Sequence, residues 1–261
     1  MGKLDGKVAI ITGAGRGVGR GIAIAMAREG ASVVVASRTP STVEEVTGLI
    51  TAEGGKALGF PCEISELEEL KALVAATVKT FGGVDILVNN AQGFNTRAAP
   101  TGTMPVSPVE AVTEEEWSYT QATGPLATLR LMQLCFPYLK ERRGKVINMG
   151  SRRGQVGAEN TVAYNAAKES IRAISRTAAR EWGRYGINVN VINPFVESNS
   201  MEAARRINPE GIAAAEKAVP MGRFGDAIRD AGGLAVFLAS SDADYVTAQT
   251  IMLDGGNYTY A

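Results

Sequence analysis

The chain has 261 residues, with 27 Lys plus Arg set against 27 Asp plus Glu, 45% apolar residues and no histidine. Zero net charge excludes a nucleic acid or anionic membrane held by bulk electrostatics. The missing histidine excludes Ser-His-Asp and Cys-His mechanisms and imidazole metal sites, and two cysteines, Cys62 and Cys135, make neither a Cys-rich metal site nor a disulfide framework.

No apolar run approaches the roughly 18 residues of a membrane span, and the N-terminus lacks an apolar signal core. The composition therefore predicts a soluble, cytoplasmic protein. In chain order, short β-branched runs alternate with longer amphipathic stretches. Val8 to Ile11 reads as a buried strand, Gly19 to Arg28 as a helix, and Val33 to Val35 as a second strand. Helices follow over Thr42 to Glu53 and Glu66 to Phe81. Strands at Ile86 to Val88 and Val146 to Ile147 bracket a long helix from Thr113 to Glu141. A helix over Val162 to Arg184, a strand at Val189 to Ile192, a helix over Ala227 to Ala239 and a strand at Thr250 to Leu253 complete the pattern. Continuous apolar strands suit parallel pairing with both faces covered. Strand-helix alternation predicts a doubly wound α/β sheet, and with no linker the whole of 1–261 reads as one domain. Two stretches break the rhythm. Gln92 to Pro108 is rich in Gly, Thr and Pro. The polar stretch 195–225 reads as a substrate-side loop, with a small helix from Pro209 to Lys217 capped by Asn208.

The first strand runs into Thr12-Gly13-Ala14-Gly15-Arg16-Gly17-Val18-Gly19, and a helix follows. Glycines let the backbone turn tightly towards a pyrophosphate, and the helix N-terminus offers N–H groups and a positive dipole end. The alternative is a tight turn kept for packing. In the strand-turn-helix context the motif predicts a dinucleotide, with Gly13, Arg16, Gly17 and Val18 at its phosphates. An acid that would bond the adenosine ribose is expected after the second strand. That region reads Ala36-Ser37-Arg38-Thr39, and the first acid beyond it is Glu44. Ser37 and Arg38, with Arg16, suit a 2′-phosphate, which favours NADP(H) over NAD(H). The alternative is a pair of solvated arginines.

Tyr164 and Lys168 stand at i and i+4, on one face of a helix. An ammonium beside a phenol favours the phenolate and lowers a pKa that starts near 10, which makes the tyrosine a proton donor and acceptor. Ser151 follows the strand at Val146 to Ile147 and offers a hydroxyl for a substrate oxygen.

With these motifs in this order, the sequence resembles the short-chain dehydrogenase/reductase family over nearly its whole length. The shared features are the TGxxxGxG pattern at Thr12 to Gly19, Glu63-Ile64, Asn89-Asn90-Ala91, Ser151, Tyr164 with Lys168, Asn193-Pro194 and Asp254-Gly255-Gly256. The resemblance implies a Rossmann-like sheet of seven parallel strands in the order 3-2-1-4-5-6-7, with helices on both faces. It implies a nicotinamide cofactor across the strand ends, touched also by Glu63, Ile64, Asn90, Ala91, Tyr164, Lys168, Pro194 and Val196. Tyr164 would be the acid/base, Lys168 would bond the nicotinamide ribose, and Ser151 would hold the carbonyl of a small ketone or secondary alcohol. The family also implies a homo-oligomer, a dimer or tetramer, through the helices over 113–141 and 162–184. The aromatic tail Tyr258-Thr259-Tyr260 is placed to reach a neighbour.

The chain departs from the family pattern at several points. An asparagine that holds a water beside the lysine is replaced by Gly124. Gly124-Pro125 also predicts a kink in its helix, with Gln121, one turn earlier, as a substitute side chain. Gln92 stands where the family has glycine after Asn89-Asn90-Ala91, so its side chain must turn away or meet the ligand. Phe195 replaces another glycine, Ser198 or Asn199 stands for a threonine that bonds the carboxamide, and Ala248 replaces a third glycine. Arg152 and Arg153, directly after Ser151, either meet an anion on the substrate or face solvent and glutamates. Phe94, Met104, Phe195, Met201 and Met221 either line an apolar pocket or fill the core. The reading is an NADP(H)-dependent ketone reductase or alcohol dehydrogenase. The alternatives are a cofactor-binding protein without turnover, or action on an enoyl or cyclic diol substrate. The Tyr-Lys spacing speaks against the enoyl case.

Overall fold

The computed structural model describes residues 2–101, 104–197, 201 and 205–258. Val8–Thr12 (β1), Ser32–Ser37 (β2), Lys56–Pro61 (β3), Ile86–Asn89 (β4), Lys145–Met149 (β5), Asn188–Pro194 (β6) and Thr250–Leu253 (β7) form one parallel sheet. Its order is β3-β2-β1-β4-β5-β6-β7. Successive side chains of a strand point to opposite faces, and here each face has its own core. Ala9, Ile11, Val33, Val35, Ile86 and Val88 pack on one side against the helices Gly17–Arg28 (α1), Pro40–Ala52 (α2) and, later in the chain, Gly233–Ala239. Ile10, Val34, Leu87, Val146 and Val189 pack on the other against Leu67–Phe81 (α3), Ala127–Arg142 and Val162–Trp182. Burial on both faces is what makes these strands read as unbroken apolar runs.

β3 escapes the sequence reading. It lies at the sheet edge, is only half-buried, and carries Lys56, Gly59 and Pro61 in place of β-branched residues. The stretch from Thr113 is one helix by periodicity but three pieces in space: Glu114–Gln121 (α4), a π-helical turn over Ala122–Leu126, and Ala127–Arg142 (α5). Pro125 has no N–H to donate and its ring crowds the preceding turn, so the helix widens there, at the predicted kink. A five-residue helix, Arg152–Val156 (α6), precedes Val162–Trp182 (α7), and Pro209–Lys217 (α8) has the predicted bounds and Asn208 cap. A second π-helical turn, Ala227–Gly232, leads into Gly233–Ala239 (α9). The stretch from Gln92 holds a two-residue hairpin, Phe94–Asn95 against Pro100–Thr101. No helix among the described residues is long and apolar enough to cross a membrane.

Ala248, the residue in place of a family glycine, has φ +62°, in the left-handed region. Its N–H donates to the Val189 carbonyl at 2.9 Å, which fixes the chain in that conformation at the start of β7. A Cβ there is strained by roughly 1–2 kcal/mol. Ala248→Gly is expected to raise stability by about 0.5–1 kcal/mol, net of the added freedom of the unfolded chain, read as a higher urea midpoint with an unchanged slope.

Candidate active site

β1 pairs with β2 on one side and β4 on the other, so the strand order reverses there and the chain leaving β1 parts from the chain leaving β4. Thr12 and Asn90 clasp the two ends. Thr12 Oγ1 accepts from the N–H groups of Asn90 and Ala91, both at 3.0 Å, and Asn90 Nδ2 donates to the Thr12 carbonyl at 2.9 Å. Gly13 follows with φ +65°, and a Cβ there would lie 2.7 Å from Asn90 Nδ2, so only glycine fits. A cavity of about 750 Å³ opens over these ends. Arg16 enters α1 in extended backbone without capping it, and no acid stands in the first turn. That open N-terminus, between Gly13 and Val18 on the cavity wall, suits a pyrophosphate.

At one end of the cavity lie Ser37, Arg38, Glu63 and Ile64. Arg38 is not simply solvated. Its guanidinium donates to the Tyr119 hydroxyl at 3.2 Å and stands 3.5 Å from Glu63, whose other oxygen accepts from the Ser65 N–H and hydroxyl. This acid comes from the loop after β3, so the end of β2 itself stays free of carboxylates.

At the other end, Ser151 caps α6 by accepting from the Arg153 N–H at 3.2 Å, and it lines the cavity together with Tyr164. The cap orients the serine, because one lone pair is committed to the helix. Tyr164, half-buried on the cavity wall, and Lys168, buried, stand one turn apart on α7. Lys168 Nζ donates to the Met149 carbonyl at the end of β5 at 2.9 Å and sits 5.5 Å from the centre of the Tyr164 ring. Burial pulls the Lys168 ammonium down to about 8. Burial also pushes the Tyr164 phenol above its ordinary value, opposed by the nearby Ser151 hydroxyl and the charge of Arg153. The lowering expected of Lys168 is thus carried by Ser151 and Arg153, since the ammonium points under the ring to a carbonyl and not to the hydroxyl.

The departures around Gly124 prove to be one arrangement. Gln121 Nε2 donates to the Ala163 carbonyl at 3.0 Å, tying α4 to α7 one residue before Tyr164 and leaving the proposed substitution of the asparagine to another group. Gln92 turns towards the π-helical turn, donating to the Thr120 carbonyl at 3.0 Å and lying 3.3 Å from Thr123 Oγ1. A Cβ on Gly124 would start 2.8 Å from Gln92 Oε1. The glutamine amide therefore fills the space that a side chain at 124 would need, while still lining the cavity.

Phe94, Met104, Phe195, Arg152 and Arg153 line the cavity, as do Asn90, Ala91 and Pro194. Phe94 packs 5.6 Å from the Tyr164 ring and Phe195 edge-on to Phe224 at 5.2 Å. Gly17 begins α1 without lining the cavity, and Val196 is buried in a bridge to Gly225. Met201 is not on the cavity wall. Met221 is 71% exposed, with its N–H bonded to Gly255, and is not a pocket residue. Ser198, Asn199 and the end of the aromatic tail lie outside the described residues. The wall also includes Tyr119, Met252, Asp254 and Asn257. The Asp254-Gly255-Gly256 motif was the one signal for the last group. Among the described residues no cluster of His, Cys, Asp or Glu could hold a metal ion.

Residues 13–258 match a family model described as enoyl-(acyl carrier protein) reductase. The chain is 39% identical to a 12alpha-hydroxysteroid dehydrogenase of a Clostridium species, covering 98% of each sequence. It is 37% identical to galactitol 2-dehydrogenase of Agrobacterium fabrum, over 98% of this chain and 99% of that one. It resembles a solved structure described as an NAD(P)-dependent gluconate 5-dehydrogenase of Beutenbergia cavernae, with NADP bound at low occupancy, at 32% identity, TM-score 0.85 and 97% coverage of both chains.

Gly124→Asn alone is expected to displace the Gln92 amide and lower stability by about 1–2 kcal/mol. The pair Gln92→Gly and Gly124→Asn should recover most of that loss in a double-mutant melting cycle; strictly additive effects would refute the shared space. The depressed Lys168 pKa has a sign that can be read directly. Between about pH 8, the folded value, and about 10.4, the unfolded one, the unfolded chain holds the extra proton, so stability gains as pH rises through that window. Lys168→Met should flatten this rise, measured as urea midpoints across the window against the unchanged chain.

Proposed function

The chain belongs to the short-chain dehydrogenase/reductase family, and on that premise we propose that it is an NADP(H)-dependent oxidoreductase interconverting a ketone and a secondary alcohol. The observation that carries the reading is that Ser151 and Tyr164 stand on the wall of the same cavity that reaches Arg16 and Arg38. The open N-terminus of α1 holds the cofactor's pyrophosphate. Arg16, Ser37 and Arg38 hold its 2′-phosphate, and the carboxylate-free end of β2 tips the preference from NAD(H) to NADP(H). When bound, the nicotinamide supplies or accepts hydride at the carbonyl carbon.

Ser151 and Tyr164 bind the substrate oxygen together. Tyr164, whose pKa is raised, stays a protonated phenol at neutral pH and gives its proton to that oxygen in the reducing direction. Ser151 holds the developing negative charge by hydrogen bond. Lys168, anchored on Met149, bonds the nicotinamide ribose and steadies Tyr164 from beneath. Phe94, Met104 and Phe195 shape the apolar part of the substrate site, and a steroid or polyol substrate in relatives fits a ketone or alcohol of medium to large size. The same proposal includes a cytoplasmic location and a homo-oligomer. Trp117, Leu126 and Leu129 stand half-exposed along α4, the π-helical turn and α5, placed for a second copy of the chain.

Titration with NADPH and NADH, followed by NADPH oxidation against a panel of ketones, tests the proposal. Tight NADPH binding and turnover that falls by about a hundredfold or more in Tyr164→Phe are expected. Arg38→Ala should weaken NADPH by about tenfold, roughly 1.4 kcal/mol, and NADH by less. NADPH binding with no turnover in either direction would replace the enzyme by a cofactor-binding protein.

A further inference from the structure

The two ends of the cavity treat their cations differently. At the Arg38 end the guanidinium is engaged by Glu63 and Tyr119. At the Ser151 end two arginines stand in succession, Arg152 and Arg153, both exposed and both on the cavity wall. Among the described residues no carboxylate lies within ion-pair distance of either. Arg152 is steadied over the Tyr258 ring at 4.6 Å. Arg153 is fixed at its backbone by the bond from its N–H to Ser151 Oγ, so its place relative to the Ser151–Tyr164 pair is set by the fold. The charge of Arg153 is already felt at the Tyr164 phenol. Two successive arginines on the wall of a cleft, with no carboxylate in ion-pair distance among the described residues, suit an anion.

Beside them the cavity wall carries apolar Phe94, Met104 and Phe195 along with the polar Asn193, Asp254 and Asn257. An uncharged substrate would leave the two arginines unmatched. A carboxylate on an apolar body satisfies both parts at once. We propose that Arg153, backed by Arg152, is an anion subsite that selects keto acids or hydroxy acids with an apolar body over uncharged substrates. The assignment rests on the oxidoreductase reading above and adds the substrate class to it.

The test compares each acid with its own methyl ester, so that only the charge changes. The probes are benzoylpropionate, benzoylbutyrate and an oxo-steroid bearing a side-chain carboxylate, with acetophenone as a neutral ketone. NADPH oxidation is followed in the intact chain and in the Arg153→Ala, Arg153→Lys and Arg152→Ala variants. The expected result is a kcat/KM for acids about tenfold or more above that for their esters, set by KM. The ratio should fall to about twofold or less in Arg153→Ala, recover in part in Arg153→Lys, and fall less in Arg152→Ala. Equal use of acids and esters by the intact chain overturns the subsite. So does an Arg153→Ala loss that is the same for both, because it would mean that Arg153 acts on the Tyr164 phenol alone. Turnover confined to neutral ketones overturns the subsite and leaves the oxidoreductase reading standing. NADPH binding with no turnover of any probe removes both.

Discussion

The clasp between Thr12 and Asn90 is the constraint on which the site depends. Strand order reverses between β1 and β4, and two chains that leave neighbouring strands in opposite directions would open a gap of any width. The Thr12 hydroxyl, shared by two backbone N–H groups, and the Asn90 amide, returned to the Thr12 carbonyl, hold that gap to one geometry. The Thr12 side of the clasp is buried, and a buried polar group left without its partner costs about 1–3 kcal/mol. The glycine turn, the open end of α1 and the cavity above them all take their positions from the clasp.

A second principle governs the opposite end of the cavity, where charge is placed in a dry environment. Lys168 is almost fully buried, and its Nζ donates to a backbone carbonyl at the end of a central strand. The Tyr164 ring lies beside that ammonium, and the Ser151 hydroxyl and the Arg153 charge favour its ionised form. Low dielectric strengthens each of these interactions and penalises each charge. The phenol therefore stays neutral while remaining next to groups that welcome its ionised form.

Much of this could be read from the residues. Unbroken β-branched runs located six of the strands because both faces of the sheet are covered, and the edge strand β3 went unread because half-burial tolerates Lys56, Gly59 and Pro61. Gly124-Pro125 announced a disturbed helix, but period alone does not separate a kink from a π-helical turn. The residues at the cavity were legible wherever a motif carried them. Gln92 was noticed as misplaced, yet its meaning required knowing that it faces Gly124 across two elements far apart in sequence. Met221 looked like a pocket residue by composition, and only the path of the loop past Gly255 puts it outside. The reach of the Lys168 ammonium likewise depends on where β5 ends.

The shared space of Gln92 and Gly124 also bears on how such a chain can diverge from its relatives. The family pattern has a side chain at 124 and none at 92, and this chain has the reverse. If the glutamine had come first, its amide would have met an occupied position, with a Cβ 2.8 Å away from its oxygen. If the side chain at 124 had been lost first, it would have left a hollow beside the Thr120 carbonyl that a later glutamine could fill with hydrogen bonds. The geometry thus couples the two positions: a side chain at 124 and the present placing of the Gln92 amide exclude one another.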